Sequence, residues 1–289
     1  MRIIHKILKG GIFILVFGMA ISACDKVDDN PPLGNYPKDS NPPGGPIKFY
    51  AAYDGINADS IRAVFANTDS MVTYVGGASG QAAQFNPVLG ANGTDSVFSF
   101  LVYPNANDFA TVATSFTISF WLKIPLSKKD NVNADGILAL ASTINFWGNV
   151  TVYADHTTGG NSDSMDLKFH FANGPGDNWD FANYVGAARW PHMYDDQWHQ
   201  VVFSYDAPSL TATLYRDGVQ FDKRTNETIV FDGNASSLIV GGFQEAAGIK
   251  DTYSNNGWMS GFPGAIDNVK FIGEALSAQD VATNYANKD

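Results

Sequence analysis

The chain of 289 residues has a single cysteine and very little glutamate. The single cysteine, Cys24, excludes an intrachain disulfide bond and a zinc site built from several thiolates. Glutamate occurs only three times, so that aspartate provides 26 of the 29 acidic side chains. Lysine and arginine number 18, which leaves a net charge of −11 at pH 7. Because such a chain repels the phosphate backbone, we expect no nucleic-acid partner.

Glycine, aspartate and apolar residues are abundant. There are 28 glycines, and apolar residues make up 45% of the sequence, which is enough to form a core. Aspartate and glycine favour turns, whereas the scarce glutamate favours helices. The composition therefore indicates a turn-rich β protein.

The first 23 residues have the pattern of a secretory signal peptide. Three basic residues precede an apolar stretch at 12–21, which is shorter than the roughly 20 residues of a lasting membrane span. The residues Ile-Ser-Ala-Cys at 21–24 resemble a bacterial lipobox. We therefore predict cleavage before Cys24, lipidation of Cys24 and anchoring in the outer membrane, on its periplasmic or its cell-surface face. The alternative is an ordinary signal peptide with a stray cysteine.

Residues 24–46 contain six prolines and almost no aliphatic side chains. A segment of this composition cannot pack into a core and is typical of an extended linker. The sequence thus predicts three parts: a signal peptide at 1–23, the lipidated cysteine with a proline-rich linker at 24–46, and a folded domain at 47–289.

Apolar residues alternate with polar ones along much of the folded domain. Residues 116–124 and 165–171 show this alternation, which is typical of strands with one buried face. The pair Asp217-Gly218 separates two further alternating runs and suits a type I′ hairpin turn. The one clear helix comes at the end, where Ser277 and Asp280 have the spacing of a capping box. These elements predict an all-β, two-sheet antiparallel jelly-roll sandwich with a short C-terminal helix.

Five segments follow one another in a familiar order: GQAAQF (80–85), NANDFATVATSFTISFWLK (105–123), WHQVVFSYD (198–206), LYRDGV (214–219) and GFPGAIDNVKFIGEALS (261–277). In that order they resemble the laminin G-like domains of the concanavalin A-like lectin/glucanase superfamily. The resemblance covers about residues 47–288 and implies the concanavalin A-like sandwich. Function stays open, because this fold hosts lectins, adhesion modules, hydrolases and lyases.

Patterns that indicate catalysis are scarce. For a glucanase of this superfamily the resemblance implies a Glu-x-Asp-x-x-Glu strand, and no two glutamates here lie within ten positions of each other. Two aspartate pairs, Asp177 with Asp180 and Asp195 with Asp196, fall in apparent loops, where solvated turns are the better interpretation. Neither a G-x-S-x-G turn nor an H-E-x-x-H helix occurs. A binding protein is therefore favoured over an enzyme.

The histidines fall into three groups. His199 stands next to a tryptophan within a strand and is expected to be structural. His170 is expected to be exposed on the polar face of its strand. His156 and His192 lie in apparent loops, where either could contact a ligand.

Calcium is the cofactor that the resemblance implies, because laminin G-like domains often bind it. The ion takes six to eight oxygens from carboxylates, carbonyls and water. Ile266 and Val269 both look core-facing although they are three residues apart, which predicts a bulge at Asp267-Asn268. Such a bulge would present the Asp267 carboxylate, with Asp54 from the first strand as a second ligand. The alternative is an aspartate bound to backbone amides.

Aromatic residues in two irregular segments indicate a glycan-binding surface. A flat ring can stack on the apolar face of a sugar, and polar neighbours can bond the sugar hydroxyls. The candidates, from 173–197 and 251–261, are Trp179, Tyr184, Arg189, Trp190, Tyr253 and Trp258. The alternative for each aromatic ring is to fold back over the core.

These features predict a cell-envelope lipoprotein whose folded domain is a non-catalytic carbohydrate-binding module for a poly- or oligosaccharide. One alternative is a glycoside hydrolase or polysaccharide lyase of the same fold that uses Asp and His. Another is a protein-interaction or accessory subunit of an outer-membrane assembly. That subunit would present an exposed apolar patch in place of a polar groove with an aromatic floor.

Overall fold

A computed structural model describes residues 44–68, 71–88, 99–130, 133–155, 163–175, 178–181, 186–250 and 257–289. The predicted signal peptide, Cys24 and most of the linker lie outside these residues. From Gly44 to Asp289 the chain forms one compact unit. Within the described ranges, no helix combines the length and apolar character that crossing a membrane requires.

Two sheets of eight strands each form the framework of the part of the chain that the structure describes. The first sheet contains, in spatial order, β15 (Val219–Thr225), β14 (Thr211–Arg216), β13 (His199–Asp206), β8 (Phe116–Lys123), β18 (Ala265–Ile272), β6 (Gln81–Gln84) and β5 (Thr73–Gly76), with β1 (Ile47–Ala51) also paired to β18. The second contains β12 (Asn178–Phe181), β11 (Leu167–Ala172), β10 (Val150–Ala154), β9 (Ala134–Ser142), β16 (Ala235–Val240), β7 (Leu101–Tyr103) and β4 (Asn67–Thr68), with β17 (Met259–Gly261) parallel to β9. A small ribbon joins β2 (Ala58–Asp59) to β3 (Val64–Phe65). The predicted antiparallel sandwich is confirmed.

The core lies between the two sheets because alternate residues of each strand point inward. Phe203 of β13 meets Phe171 of β11 with 4.3 Å between ring centroids. Phe116 of β8 contacts both of these rings. Burial of each such side chain contributes about 1.5–3 kcal/mol. Phenylalanine packing across the sandwich is therefore a main source of its stability.

The helix α1 (Phe109–Val112) is a single turn, and α2 (Ala278–Asn287) is the predicted C-terminal helix. The capping box of α2 is present, because the Ser277 side chain accepts from the Asp280 amide and the Asp280 side chain accepts from the Ser277 amide. The ring of Tyr285 stacks on Trp121 of β8, with centroids 5.4 Å apart and planes 14° apart. Val281 is fully buried in a cluster with Val202 of the first sheet. The helix thus covers part of the outer face of this sheet.

Strand β18 changes partner halfway along its length. Its first residues pair with β6, and its last four pair with β1. The register against β8 shifts between Asp267 and Lys270, and Asn268 has a left-handed φ of 48°. The bulge predicted at Asp267-Asn268 is therefore confirmed. At the hairpin, Asp217 and Gly218 have φ of 50° and 76°, as a type I′ turn requires.

Candidate functional site

Trp190 does not belong to a glycan-binding surface. The side chain is 0% exposed, and its ring stacks on Phe221 of β15 with 4.2 Å between centroids. Its backbone forms a bridge with Met165, just before β11. The prediction that the Trp190 ring is exposed is wrong, because the ring packs into the main core cluster. A sugar has no face of this indole to stack on.

The other predicted ligand-binding residues are described to different extents. Tyr184 and Tyr253 lie outside the described residues. Trp179 lies in β12, where its backbone pairs opposite Phe171. Arg189 and Trp258 are half-buried. Of the predicted aromatic residues whose side chains are described, only Trp258 has an accessible ring.

Trp258 belongs to an aromatic cluster on the outer face of the second sheet, which we call the aromatic platform. Its members are Phe146, Trp147, Tyr153, His170, Phe243 and Trp258. The platform forms where β10 and β11 run side by side. In β10, Val150 and Val152 enter the main core, so Tyr153 points to the opposite face. His170 takes the corresponding place in β11, between core residues Phe169 and Phe171.

Trp147 lies parallel to the two rings beneath it. Its indole stacks on His170 with 4.1 Å between centroids and 4° between planes, and on Tyr153 with 5.7 Å and 8°. The Tyr153 hydroxyl and His170 Nε2 are 3.0 Å apart and hydrogen-bonded. Trp258 lies 5.7 Å from Trp147, with the two planes tilted by 54°. Both indoles are half-buried, so each offers part of its surface to a ligand.

The loop that carries Trp147 is fixed by several hydrogen bonds. The Trp147 amide donates to Asn145 Oδ1 over 3.0 Å, and its carbonyl accepts from the Thr151 hydroxyl. Gln244 Nε2 donates to the carbonyls of Asn145 and Phe146, each over 2.9 Å. These contacts hold the indole in place before a ligand arrives, which reduces the entropy lost on binding.

Two features of this platform differ from the sequence-based expectations. The prediction that His170 is exposed is wrong, because Trp147 covers the ring and leaves 6% of the residue exposed. Trp147 itself was missed. The sequence signal for it is the tripeptide Phe-Trp-Gly at 146–148, which combines aromatic residues with glycine as the segments 173–197 and 251–261 do.

Charged residues border the platform on the side of Tyr153. Lys168 Nζ lies 6.0 Å from the centre of the Tyr153 ring. It forms an ion pair with Asp155 and lies 3.8 Å from Asp166 Oδ2. Asp155 and Asp166 thus share the Lys168 cation. This arrangement is typical of a structural ion-pair group and differs from an acid/base pair for hydrolysis.

Tyr194 is a buried residue whose pKa is affected by Arg189 and by nearby aspartates. Burial raises the pKa of Tyr194 well above its usual value. The negative charges of Asp135, Asp166 and Asp155 add to this rise in pKa, whereas Arg189 opposes it. Arg189 therefore lies in the electrostatic neighbourhood of these aspartates, at the end of β9–β11.

The second candidate site is formed by Asp267 at the bulge of β18. The residue is 0% exposed, and Oδ2 accepts from the Ser79 amide over 3.2 Å. Among the described residues, Oδ1 has no hydrogen-bond partner. Burial raises the pKa of Asp267 to about 7, amide hydrogen bonds oppose this rise, and the charge of Asp54 adds to it. An ionised Asp267 is therefore under-compensated by its protein neighbours.

Asp54 approaches the same turn from the end of β1. It is exposed, and its Oδ1 accepts from the Gln81 amide over 2.7 Å. Glycines make room for both carboxylates, because a Cβ on Gly77 would lie 2.5 Å from Asp267 Oδ2 and one on Gly80 would overlap Asp54. The two predicted metal ligands thus face one four-residue turn, at 77–80.

The chemistry of this turn bears on the predicted calcium site through the buried Oδ1 of Asp267, which has no hydrogen-bond partner among the described residues. The ion would supply the positive charge that the buried Oδ1 of Asp267 lacks, and Asp54 would be a second carboxylate ligand. In the described ranges, no group of three or more His, Cys, Asp or Glu side chains is placed to hold a metal. The remaining oxygens would have to come from backbone carbonyls and water, which calcium accepts.

Two histidines pair with aspartates elsewhere. His199 Nδ1 lies 2.9 Å from Asp217 Oδ2, and His199 Nε2 lies 3.1 Å from Asp195 Oδ1. With both ring nitrogens engaged, His199 has no nitrogen left to act as a base, which agrees with the structural role expected for it. Exposed His192 Nδ1 lies 2.5 Å from Asp163 Oδ2, and this contact lowers the pKa of Asp163.

A two-sheet β-sandwich with one helix-covered face and one aromatic outer face defines the class of protein. The family model described as concanavalin A-like lectin/glucanases superfamily, Laminin G 3, matches residues 92–282. The chain belongs to this family. No curated protein shows significant sequence similarity to it.

Solved structures share this fold at low sequence identity. The binding domain of Paraclostridial Mosquitocidal Protein 1 is 14% identical, with a TM-score of 0.58 over 84% of this chain and 52% of that one. Domain 4 of an extracellular arabinanase from Geobacillus stearothermophilus, solved with arabinotriose, is 18% identical, with a TM-score of 0.53 over 82% of this chain and 97% of that domain. The binding domain of Botulinum Neurotoxin DC in complex with SialylT is 10% identical, with a TM-score of 0.55 over 84% and 52%. The chain thus spans about half the length of the two toxin domains.

Proposed function

We propose that the folded domain is a non-catalytic carbohydrate-binding module and that the aromatic platform is its glycan-binding site. The observation that carries this proposal is the pair of half-buried indoles, Trp147 and Trp258, on the outer face of the second sheet. The Trp147 indole, fixed parallel to the His170 and Tyr153 rings, is a flat apolar surface for the C–H face of a sugar ring. Two neighbours of the same fold were solved with arabinotriose and SialylT, which supports the proposal.

The test is to measure binding across a panel of neutral and acidic polysaccharides by affinity electrophoresis and calorimetry. We expect at least one ligand, and we expect Trp147→Ala to weaken its binding by tenfold or more, which corresponds to about 1.4 kcal/mol. Trp198→Ala is the matched control, because Trp198 is also half-buried but directly precedes β13 of the first sheet. Equal losses in both variants, or no bound glycan, would refute the proposed site.

The second part of the proposal is that calcium binds between Asp54 and Asp267. The unpartnered, buried Oδ1 of Asp267 supports it. Calcium would join the end of β1 to the bulge of β18 and so stabilise the edge of the first sheet. It would act on stability and has no assigned part in contacts with the sugar.

The third part of the proposal concerns the cellular location of the protein. The lipobox-like Ile-Ser-Ala-Cys at 21–24 supports lipidation at Cys24 and an outer-membrane lipoprotein that displays its module through the linker at 24–46. Mass spectrometry of the membrane-extracted protein tests this. We expect acyl chains on Cys24 and none in a Cys24→Ser variant. A mature protein that still begins at Met1, or one without lipid, would contradict it.

A further inference from the structure

We propose that the aromatic platform selects a neutral, single glycan chain in solution and discriminates against polyanionic glycans and flat crystalline polysaccharides. This inference rests on the proposed function and adds the class of ligand. It is drawn from two independent properties of the platform: the relative tilt of its indoles and the charges along its border.

The tilt of the indoles determines the shape of ligand that can touch both. Trp147 is held parallel to His170 and Tyr153, so its plane is fixed by the sheet beneath it. Trp258 is tilted by 54° relative to Trp147, although the two centroids are only 5.7 Å apart. Rings that stack on a crystalline surface must share one plane. Rings at this angle instead contact two differently oriented faces of a free chain.

Trp258 is also held by its neighbours. Its carbonyl accepts from the Ala134 amide over 2.8 Å, at the start of β9. Its ring also meets Phe243 edge to face, with centroids 5.6 Å apart and planes 72° apart. Turning the Trp258 ring into the plane of Trp147 would break the edge-to-face contact with Phe243. The tilt is therefore a built-in property of the surface.

The charges along the border oppose an anionic ligand. Lys168 is the cation next to the Tyr153 ring of the platform. It already forms an ion pair with Asp155 and lies close to Asp166. Among the described residues that border Tyr153, two carboxylates face one cation, in a chain whose net charge is −11. A uronate or sulfate would meet repulsion here and would find Lys168 occupied.

The test compares sugars that differ only in charge or only in crystallinity. The full chain is titrated with galactotriose and trigalacturonate, with sialyllactose beside lactose, and with a panel of neutral oligosaccharides that includes arabinotriose and cellotriose. Its adsorption to microcrystalline cellulose and chitin is measured by sedimentation. We expect neutral oligosaccharides to bind at least tenfold more tightly than any acidic counterpart at low salt. We also expect the difference to shrink as salt rises, because screening weakens the repulsion.

Two carboxylate variants separate the border charge from other causes. Asp155→Asn releases Lys168 from its ion pair, so we expect acidic ligands to gain threefold or more while neutral ligands change by less than twofold. Asp222→Asn is the control, because Asp222 also pairs with a cation, Arg224, but lies in β15 of the first sheet. It should leave both affinities unchanged.

The outcomes for the ligand class and for the proposed function can be distinguished. Acidic sugars that bind as tightly as neutral ones, or Trp147-dependent adsorption to cellulose, overturn the inference and leave a carbohydrate-binding module in place. If the neutral preference is found but Trp147→Ala does not alter it, the binding site lies elsewhere and the inference about the platform falls. If no sugar in the panel binds, both the proposed function and the inference fail.

Discussion

His170 lies face to face with Trp147, with 4.1 Å between their ring centroids. The imidazole is 6% exposed and serves as the support on which the indole rests. We expect His170→Ala to weaken sugar binding by about three- to tenfold, because the indole loses its support and gains freedom that binding must then restrict. Calorimetry measures the affinity. Tyr153→Phe keeps the stacked ring and removes only the hydroxyl, so its loss should be smaller; a larger loss would contradict this role of the stack.

The Asp267 carboxylate should make stability depend on calcium. Without the ion, Asp267→Asn removes a buried charge that amides contact but no described cation neutralises, so we expect a gain of about 1–3 kcal/mol in the free energy of unfolding. Calcium at a hundredfold excess over Kd should raise the free energy of unfolding of the wild type by about 2.7 kcal/mol. It should not change that of the variant. Urea denaturation in EDTA and in calcium measures both. A calcium-dependent gain that persists in Asp267→Asn would rule out this ligand.

The same carboxylate predicts a pH dependence in the calcium-free protein. Its pKa of about 7 in the folded state is above the value of 3.8 expected when unfolded. The folded state therefore holds more protons between these values, and stability falls as pH rises from about 4 to about 7. The slope of unfolding free energy against pH should be shallower in Asp267→Asn. Identical slopes in the two proteins would show that Asp267 does not titrate in this range.

Gly80 has a φ of +57°, and a side chain there would overlap the Asp54 carboxylate. We expect Gly80→Ala to displace Asp54 and to abolish most of the stabilisation by calcium, with a further cost of about 1 kcal/mol for the strained backbone. Gly76→Ala is the matched control, because a Cβ at Gly76 meets nothing within 4 Å. Thermal denaturation with and without calcium compares them. An unchanged calcium response in Gly80→Ala would exclude Asp54 as a ligand.

His199 joins the 195–197 loop to the β14–β15 hairpin through two aspartates. Burial alone would lower the pKa of His199, but hydrogen bonds and charges from Asp217 and Asp195 raise it above 6.5. Its contribution is therefore complete below pH 6.5 and is lost as pH rises through the folded-state pKa. We expect His199→Gln to cost about 1–3 kcal/mol at pH 6 and less at pH 9, measured by urea denaturation. An equal loss at both pH values would mean that His199 is neutral in the folded protein.

Asp59 fixes the β2–β3 ribbon through four hydrogen bonds. Its carboxylate accepts from the amides of Tyr50, Ile61 and Arg62 over 2.9, 3.1 and 2.9 Å, and from Asn107 Nδ2 over 2.8 Å. Asp59→Ala leaves these donors without a partner, and we expect a loss of about 3 kcal/mol or more in unfolding free energy. Exposed Ser60→Ala is the control and should stay within about 0.5 kcal/mol. A loss no larger than that of the control would contradict the role of Asp59.

The sheets could be predicted because the buried face of many strands is visible as an alternation of apolar and polar residues within the strand itself. Even the bulge at Asp267 could be inferred, since Ile266 and Val269 cannot both face the core of a regular strand. The burial of Trp190 and His170 depends on neighbours that are distant in sequence. Trp190 is buried through Phe221, and His170 is covered by Trp147. Local alternation carries no information about such partners, which is why the exposure of Trp190 and His170 was predicted wrongly.

The stacking of Tyr285 on Trp121 makes the domain asymmetric, since the helix closes over one sheet while the other keeps its aromatic rings accessible. A sandwich with both outer faces open could be approached from two directions and cross-link long polymers. With the helix over part of one face, the proposed glycan site would give each molecule a single docking side. Many copies side by side would then bind one polymer through additive weak contacts, without cross-linking it to other polymers.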